Sequence, residues 1–366
     1  MASRRRSLGD VAMKPMEPNF WRGRRVFVTG HTGFKGGWLA TWLLEAGAEV
    51  TGFALAPDTV PSFFSLCGLH RRMRSFFGDV RDRDSLKRAM NKARPEIIFH
   101  LAAQSLVRRS YRQPADTFET NVMGTVNLLE AVRLIDSARA LVVVTSDKCY
   151  KPRRVAIGYR EDDPLGGHDP YSASKACTEL VVAAYERSFL SSDLCPTAVA
   201  TVRAGNVIGG GDWASDRIVP DAIRALQSRR PLMVRNPGAV RPWQHVLEPL
   251  AGYLMLARCL YAHGKKYSGA WNFGPSGSGV TVAELIDKLI TAWGAGSWEP
   301  SSADDSFHET LNLLLDSSRA RTVLGWRPHL VLEEAISMTT EWYREAVTQP
   351  SADLYHSTSA QIHGYL

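Results

Sequence analysis

The chain has 366 residues, 45% hydrophobic and 22% charged, which is enough for one large or two fused domains with a substantial core. No run of about 18 apolar residues occurs, which argues against a transmembrane span, and the basic start Met1–Ser7 lacks the apolar stretch of a secretory signal. The net charge of +7 is spread along the chain, which disfavours nucleic-acid binding and also suits a small anionic substrate.

Short apolar runs alternate with helical stretches over the first half of the chain. Helices are predicted around Trp38–Leu44 and across 122–132, where Val122, Val126 and Leu129 recur at helical spacing. The predicted strands are, in chain order, Arg25–Thr29, Glu49–Phe53, Glu96–Leu101, Leu141–Val144 and Ala198–Val202. Strands that alternate with helices predict an α/β fold with a Rossmann-type, doubly wound parallel sheet.

The regular alternation stops beyond residue 205, where Gly209–Gly211 and several prolines interrupt the chain. Thr281–Glu284 has the spacing of a capping box, which predicts a helix to about Trp293. A further helix is predicted over Leu332–Glu345. The predicted parts of the chain are a flexible basic tail over 1–20, a Rossmann domain over 21–205, a smaller, mainly substrate-binding lobe over 206–350 and a C-terminal tail over 351–366.

A glycine-rich turn, Gly30-x-x-Gly33-x-x-Gly36, directly follows the first predicted strand and precedes a helix. Glycines there allow a pyrophosphate to approach the helix N-terminus, which favours NAD(P) binding over a purely structural turn. The second strand ends in Gly52–Leu55 without the carboxylate that would select NAD, so the motif leaves NADP open. We predict that Asp79–Val80, after the short run Phe76–Phe77, contacts the adenine.

Two clusters of reactive side chains point to catalysis. Thr145–Lys148 follows a buried strand, at the sheet edge where α/β folds place ligands. An acid and an amine side by side suggest that one proton is added and another removed. Tyr171 and Lys175 lie at i and i+4 of a predicted helix, so the ammonium is expected to lower the pKa of the phenol.

The cysteines are scattered, odd in number and without a C-x-x-C pair. They are Cys67, Cys149, Cys177, Cys195 and Cys259. This usage predicts a reducing, cytoplasmic compartment and argues against a disulfide framework and a zinc site, so no metal is expected. Cys149, next to the acid–amine pair, is expected to be a small buried hydrophobe.

Together with Leu101–Ala103, Gln104 and Asn121, these motifs resemble the extended short-chain dehydrogenase/reductases, which include nucleotide-sugar epimerases and dehydratases. Several longer blocks, in the same order along the chain, resemble the CDP-glucose 4,6-dehydratase group of that family over roughly residues 20–345. These blocks are Val28–Gly36, Thr145–Tyr150, Asp163–Ser172, Arg203–Trp213 and Arg241–Pro249.

The resemblance implies an internal redox reaction that converts CDP-D-glucose to CDP-4-keto-6-deoxy-D-glucose and water. A hydride would leave C4, reside on a tightly held NAD and return to C6, as in the biosynthesis of O-antigen deoxysugars. The family also implies a homodimer or homotetramer. Nucleic acid and membrane are not expected as partners.

The same resemblance implies a role for each reactive side chain. Tyr171 would take the proton from the sugar O4, with Ser146 hydrogen-bonded to the reacting oxygen and Lys175 on the cofactor ribose. Asp147 would protonate the departing C6 hydroxyl, which requires that burial or a neighbouring charge keep its proton. Lys148 would remove the C5 proton, at a position where related dTDP-glucose dehydratases carry glutamate. The alternative is that Lys148 only pairs with Asp147.

Two further sets of residues complete the predicted site. The cofactor-binding set is Gly30, Thr32, Gly33, Phe34, Lys35, Gly36, Asp79, Val80, Leu101, Ala102, Ala103, Asn121, Thr145, Tyr171 and Lys175. The substrate-binding set is Gln104, Ser105, Asn206, Arg217, Asn236, Arg241 and His308. Alternative functions are another nucleotide-sugar 4,6-dehydratase, a 4-epimerase, a simple reductase or a non-catalytic NAD(P)-binding regulator.

Overall fold

The computed structural model of the chain describes residues 17–153, 157–190, 195, 197–301 and 314–366. In chain order, its strands are β1 (Arg25–Thr29), β2 (Glu49–Ala54), β3 (Arg74–Phe77), β4 (Ile97–His100), β5 (Ala140–Val144), β6 (Ala198–Ala204), β7 (Val207–Ile208), β8 (Leu232–Val234), β9 (Val240–Arg241), β10 (Gln244–His245), β11 (Gly269–Phe273), β12 (Val280–Thr281) and β13 (Trp298–Pro300).

The helices flank these strands and connect them. They are α1 (Pro18–Trp21), α2 (Phe34–Glu45), α3 (Phe63–Leu66), α4 (Leu69–Arg72), α5 (Arg83–Ala93), α6 (Val107–Arg112), α7 (Pro114–Phe118), α8 (Gly124–Val132), α9 (Pro170–Tyr185), α10 (Ile218–Gln227), α11 (Leu247–His263), α12 (Val282–Trp293), α13 (Leu332–Thr348) and α14 (Tyr355–Tyr365). Single π-helical turns precede α8 and follow α9, and a short 3₁₀ turn spans Asp147–Cys149.

The central sheet is parallel and doubly wound, as the sequence predicts. Within the described residues it has seven strands in the order β11-β6-β5-β4-β1-β2-β3. The chain runs from β1 to β3 on one side and then crosses to β4 on the other side of β1. This reversal of direction opens a crevice at the carboxyl ends of β1 and β4, where α/β proteins bind ligands.

Each face of the sheet is covered by helices because the buried strands carry apolar residues on both sides. Val26 and Val28 of β1 belong to the core that includes α2 and α11, whereas Phe27 faces the core formed with α5, α8 and α9. In β5, Val142 lies in the first core, and its neighbours Leu141 and Val143 lie in the second. The sheet is therefore held rigidly between two layers of helices.

The second half of the chain does not form one separate lobe, which corrects the division expected at residue 205. Strand β11 returns to the central sheet and pairs with β6, and α11 packs against the same sheet. The remaining short strands pair as β7 with β10, β8 with β13 and β9 with β12, and they lie with α10 and α12 beside the cleft. The glycines and prolines after residue 205 mark turns between short strands rather than a change of domain.

Parts of the two expected tails form helices that pack against the rest of the chain. Residues 1–16 lie outside the described residues, but α1 follows them and buries Trp21. The C-terminal residues form α14, whose Ser359 Oγ donates to Glu45 Oε2 of α2 at 2.6 Å. Tyr365 at its end donates to Glu248 Oε2 at 2.7 Å. The signal for this helix is weak because its buried side chains include polar ones.

The capping box at α12 is confirmed. Glu284 N donates to Thr281 Oγ1 at 3.1 Å, and Thr281 N donates to Glu284 Oε2 at 2.7 Å. The helix ends at Trp293, as predicted, because Gly294 adopts a left-handed conformation after it.

Within the described residues, no helix combines the length and apolar character needed to cross a lipid bilayer.

Candidate active site

The carboxyl ends of the central strands open on a cleft of about 1310 Å³. This volume exceeds that of a typical pocket for one drug-sized ligand, so the cleft has room for a dinucleotide and a second nucleotide. Of the predicted site residues that the structure describes, every one except Asn121 lines this cleft. His308 lies outside the described residues. Segments far apart in sequence therefore converge on one site.

The glycine turn is shaped by close contacts that exclude larger side chains. A Cβ atom at Gly30, whose φ is +75°, would lie 2.7 Å from the backbone nitrogen of Ala102. At Gly36 it would lie 2.1 Å from the oxygen of Gly30, so this glycine lets α2 approach the turn. Gly33 has space for a Cβ atom, with only the oxygen of Gly30 at 3.5 Å. The packing of the chain therefore does not require a glycine at this position. The free space at Gly33 is available to a ligand that approaches from the cleft.

The N-terminus of α2 points into this turn. Among the described residues, no side chain caps it, so the N–H groups of its first turn are available to a ligand. Thr29 holds the opposing loop, because its Oγ1 accepts from the backbone nitrogens of Leu101 and Ala102 at 3.1 Å each. An uncapped helix N-terminus facing a glycine turn fits the pyrophosphate of a dinucleotide.

Asn121 and Gln104 have different places from those predicted. Asn121 is buried in the π-helical turn before α8, where its Nδ2 donates to Gln104 O and to Ser174 Oγ. Its Oδ1 accepts from Gln104 N at 2.8 Å. The Gln104 side chain donates to Leu106 O and Thr117 Oγ1 and accepts from Leu106 N. Both side chains hold the loop in shape, and the amide of Gln104 is occupied. Asn121 does not line the cleft, and its cofactor contact stays a prediction.

Asp147 is more deeply buried than Lys148, the other member of the acid–amine pair. Its Oδ1 accepts from Ser146 Oγ at 3.0 Å and lies 3.7 Å from Lys148 Nζ, on a side chain that is 27% exposed. In the described part of the chain, its Oδ2 is buried without a hydrogen-bond partner. A Cβ at Gly205 would approach this oxygen to 3.2 Å. A buried, unpartnered carboxylate oxygen is costly, which indicates that a ligand group completes it.

Tyr171 and Lys175 lie in the first two turns of α9, and both are buried. Burial raises the pKa of Tyr171 to about 12, although a hydrogen bond with Ser146 and the charge of Arg217 lower it. The Lys175 ammonium donates to Val144 O at 3.1 Å, and burial lowers the pKa of Lys175 to about 8. The predicted lowering of the phenol pKa is therefore wrong for this structure, because burial outweighs the nearby cations.

Arg217 connects the two walls of the cleft. It immediately precedes α10, and its guanidinium donates to Asp212 Oδ2 and to Ser105 Oγ, at 2.8 Å each. Ser105 lies on the loop after β4, so the predicted substrate residues Arg217 and Ser105 contact each other directly. Asp212 raises the pKa of Arg217, which keeps this side chain cationic next to Tyr171.

The other predicted substrate residues lie along the same wall. Asn206 has a buried Oδ1 without a partner in the described part of the chain, which leaves it available to a ligand. The Arg241 guanidinium donates to Val240 O at 3.0 Å, and Asn236 is exposed at the mouth of the cleft. These side chains offer both hydrogen-bonding and cationic groups to a phosphorylated ligand.

Sequence reasoning missed several charged residues of the cleft. Arg235 Nη1 lies 3.2 Å from Asp216 Oδ1, and Arg108 Nε lies 4.0 Å from the same oxygen. Asp58 lies on the loop after β2, beyond the strand end where a carboxylate was sought. Arg235 directly follows the apolar run Leu232–Val234, and a charged residue after such a run indicates the end of a strand. Among the described residues, no cluster of His, Cys, Asp and Glu could hold a metal ion.

The sequence profile of the GDP-mannose 4,6-dehydratase family matches residues 27–339. The chain belongs to this family. The matched residues include nearly the whole central sheet and most of the residues that line the cleft. The glycine turn and the opposite wall of the cleft therefore both lie within the family profile.

Individual relatives agree with the family. The chain is 49% identical to the CDP-glucose 4,6-dehydratase of Salmonella typhimurium over 90% of this chain and 93% of that protein. It is 28% identical to a probable dTDP-glucose 4,6-dehydratase of Sinorhizobium fredii, over 88% of this chain and 93% of that protein. The first of these similarities is much the stronger.

Solved structures of similar proteins share the fold. The Thermus thermophilus UDP-glucose 4-epimerase in complex with NAD has a TM-score of 0.76 at 26% identity and covers 88% of this chain and 99% of its own. The dTDP-glucose 4,6-dehydratase DesIV of Streptomyces venezuelae, solved with NAD bound, has a TM-score of 0.74 at 27% identity. It covers 89% of this chain and 99% of its own. Members of this dehydratase family and the epimerases thus have one architecture.

Proposed function

We propose that this chain is an NAD-dependent hydro-lyase that converts CDP-D-glucose to CDP-4-keto-6-deoxy-D-glucose. One observation carries the proposal: the buried Asp147 and the adjacent Lys148 line the same cleft as Tyr171 and Lys175. A 4-epimerase or a reductase needs the second pair but not the first. The 49% identity with the Salmonella CDP-glucose 4,6-dehydratase supports the substrate.

The residues of the glycine turn fit NAD. Gly30 and Gly36 shape the turn, Gly33 leaves space on the cleft side, and the uncapped N-terminus of α2 offers N–H groups to a pyrophosphate. We propose the remaining predicted cofactor residues, without Asn121, as its other contacts, with Asp58 as a candidate for the adenosine ribose. When bound, NAD accepts the hydride from C4 of the sugar and returns it to C6.

Tyr171 is proposed as the base that removes the proton from the sugar O4. Its phenol is hydrogen-bonded to Ser146 and faces the charge of Arg217, and both lower its pKa against the larger effect of burial. Further positive charge in the cleft would lower the pKa again. Lys175, one helical turn from Tyr171 and held by Val144 O, is proposed to supply such charge and to bind ribose hydroxyls.

Asp147 and Lys148 are proposed to eliminate water across C5 and C6. A ketone at C4 acidifies the C5 proton, and the C6 hydroxyl leaves only when it is protonated. Asp147 is suited to the acid role because its Oδ2 is buried, unpartnered within the described residues and in the cleft. Lys148 is proposed as the base: as a neutral amine it would accept the C5 proton, and its 27% exposed side chain lies beside Asp147.

We propose that the nucleotide lies along the wall formed by the segments around α10 and β9, which act as the substrate lobe. Arg217, Arg235 and Arg241 place guanidinium groups there, and guanidinium groups bind pyrophosphate in a bidentate manner. Ser105 and Asn206 are placed to bind hydroxyl groups.

The function is tested with CDP-glucose that carries deuterium at C4. We expect the deuterium at C6 of a CDP-4-keto-6-deoxy product, without net formation of NADH, because one active site keeps the hydride throughout. Mass spectrometry and NMR of the product measure this transfer. A CDP-galactose product would identify a 4-epimerase, and stoichiometric NADH would identify a simple dehydrogenase. The same assay with dTDP-, UDP- and GDP-sugars tests the nucleobase.

We also propose that the chain forms a homodimer through α7 and α9. These helices pack against each other, and Phe118 of α7 and Leu180 of α9 are 36% and 60% exposed. Met123, at the end of the π-helical turn that follows α7, is 50% exposed. Adjacent apolar side chains of this size on a helical surface are typical of a protein interface. A two-fold dimer would bury them against the same helices of the partner.

Replacing Leu180 with glutamate is expected to convert this dimer to a monomer, because the change buries charge in an apolar contact. Light scattering coupled to gel filtration measures the mass. Val323→Glu is a matched control, since Val323 is 49% exposed but lies away from α7 and α9. A Leu180→Glu protein with an unchanged oligomeric mass would contradict the proposed interface. We propose a reducing, cytoplasmic location, because the five cysteines are scattered and odd in number.

A further inference from the structure

A buried ion pair lies directly behind the strand end that carries Thr145. The Arg203 guanidinium donates to both carboxylate oxygens of Glu179 at 2.8 Å, and the two side chains are only 3% and 4% exposed. The same carboxylate accepts from Thr145 Oγ1 at 2.5 Å and from Thr201 Oγ1 at 2.7 Å. Glu179 thus makes four hydrogen bonds and fixes the hydroxyl next to Ser146.

Arg203 is itself held on its far side. Its Nη1 donates to the Tyr150 hydroxyl at 2.7 Å, and that hydroxyl donates to Asn272 Oδ1 at 2.7 Å. Neither Glu179 nor Arg203 lines the cleft. A buried ion pair usually stabilises a protein no more than apolar residues of the same size would. The position of the pair therefore points to a role beyond stability.

Glu179 shares one face of α9 with the catalytic pair. Tyr171, Lys175 and Glu179 follow each other at intervals of four residues, which aligns them along the helix. Burial lowers the pKa of Lys175, and the Glu179 carboxylate opposes this by raising it. The helix therefore places an anion, a cation and a phenol in a row that ends in the cleft.

Several other titratable groups also face Lys175. Cys149 on the turn after β5 acts on it in the same direction as Glu179 only if the thiol is ionised, and burial raises the pKa of that thiol. His100 of β4 is buried, and its pKa is lowered to about 3, so it is neutral. Lys35 of α2 repels Lys175. In the described surroundings Glu179 is thus the carboxylate that supports the ammonium.

We propose that Glu179 is a positioning residue for the reaction: held by Arg203, its carboxylate fixes the Thr145 hydroxyl and supports the Lys175 ammonium, one turn away on the helical face that carries Tyr171. This role rests on the proposed function of Tyr171 and Lys175, and it extends the motif to Tyr-x-x-x-Lys-x-x-x-Glu. Thr145 and Lys175 line the same cleft as the glycine turn. The carboxylate thus affects both cofactor binding and the first proton transfer without touching either ligand.

The direction of the pH effect follows from the charges. Lys175 is active as a cation, which is present below its pKa and lost as the pH rises through it. Removing the Glu179 charge lowers that pKa, so the cation is lost at a lower pH. We expect Glu179→Gln to move the alkaline limb of NAD affinity, and of kcat, down by about one pH unit or more. Calorimetric titration with NAD across pH measures the first, and steady-state rates measure the second.

Thr201→Val is the matched control. It removes a hydrogen bond to the same carboxylate from the neighbouring strand but leaves the charge and the Thr145 contact in place. Its alkaline limb should coincide with that of the unchanged protein even if its Tm falls. An equal shift in both variants, or no shift in a folded Glu179→Gln protein, would overturn the proposal.

Glu179→Gln leaves Arg203 as an unpaired buried cation, so its folding is checked by circular dichroism. If it does not fold, the double variant Glu179→Gln with Arg203→Met removes both charges and is measured in the same way. Failure of both variants to fold would assign the pair to folding alone and overturn the proposal. An unchanged protein that binds NAD but does not turn over CDP-glucose would contradict only the proposed function, and the NAD titrations would still test Glu179.

Discussion

Replacing Tyr171 with phenylalanine is expected to lower kcat by about a thousandfold, because a general base at the reacting atom contributes about 10²–10⁴-fold. The phenol is the group placed between Ser146 and the cleft, and the ring itself would stay packed in its buried position. Both hydride transfer from the sugar and the steps after it should stop. Rapid mixing with CDP-glucose, followed by nicotinamide absorbance, would show no reduced cofactor.

Tyr185→Phe is the control for this change. Tyr185 lies at the other end of α9, outside the cleft, and loses the same hydroxyl group. Its turnover should match that of the unchanged protein. Rapid cofactor reduction by Tyr171→Phe would contradict the role of Tyr171 as base and would point to another group at O4.

Asp147→Asn is expected to separate the two halves of the reaction. An amide keeps the size of the carboxylate and its contact with Ser146, but it cannot donate an acidic proton to the departing C6 hydroxyl. Turnover should fall by about a hundredfold to a thousandfold, while sugar oxidation continues. Reduced cofactor and a 4-keto sugar that still carries its C6 hydroxyl should accumulate, which absorbance and mass spectrometry of the quenched reaction detect.

Asp163→Asn serves as the comparison. Asp163 also pairs with a cation, Arg153 at 2.7 Å, but it does not line the cleft. This variant should keep both halves of the reaction. If Asp147→Asn instead blocked cofactor reduction, Asp147 would act in the first step and the proposed division of labour would be wrong.

The parts of the site that the sequence predicts are those whose geometry is local. Tyr171 and Lys175 share a helical face because of their spacing, and Asp147 follows a strand whose end must lie at the ligand edge. The order of strands and helices likewise predicts the parallel sheet. In each case a few consecutive residues carry the whole signal.

The missed features depend on contacts between distant segments. Ser105 meets Arg217, 112 positions later in the chain, and no local pattern indicates this. Asn121 is held by Gln104 and by Ser174 of α9, so its role depends on how three segments pack. The pKa of Tyr171 depends on how deeply the phenol is buried, which spacing along a helix does not determine.

The contact of α14 with α2 can form only late in the synthesis of the chain. Helix α2, which offers its N-terminus to the cofactor, has at its other end Glu45, which accepts from Ser359 and lies 2.9 Å from His363 Nε2. On the ribosome α2 is made well before these partners, which lie 314 and 318 positions further along the chain. The nascent chain therefore completes this support of α2 only after α14 has been translated.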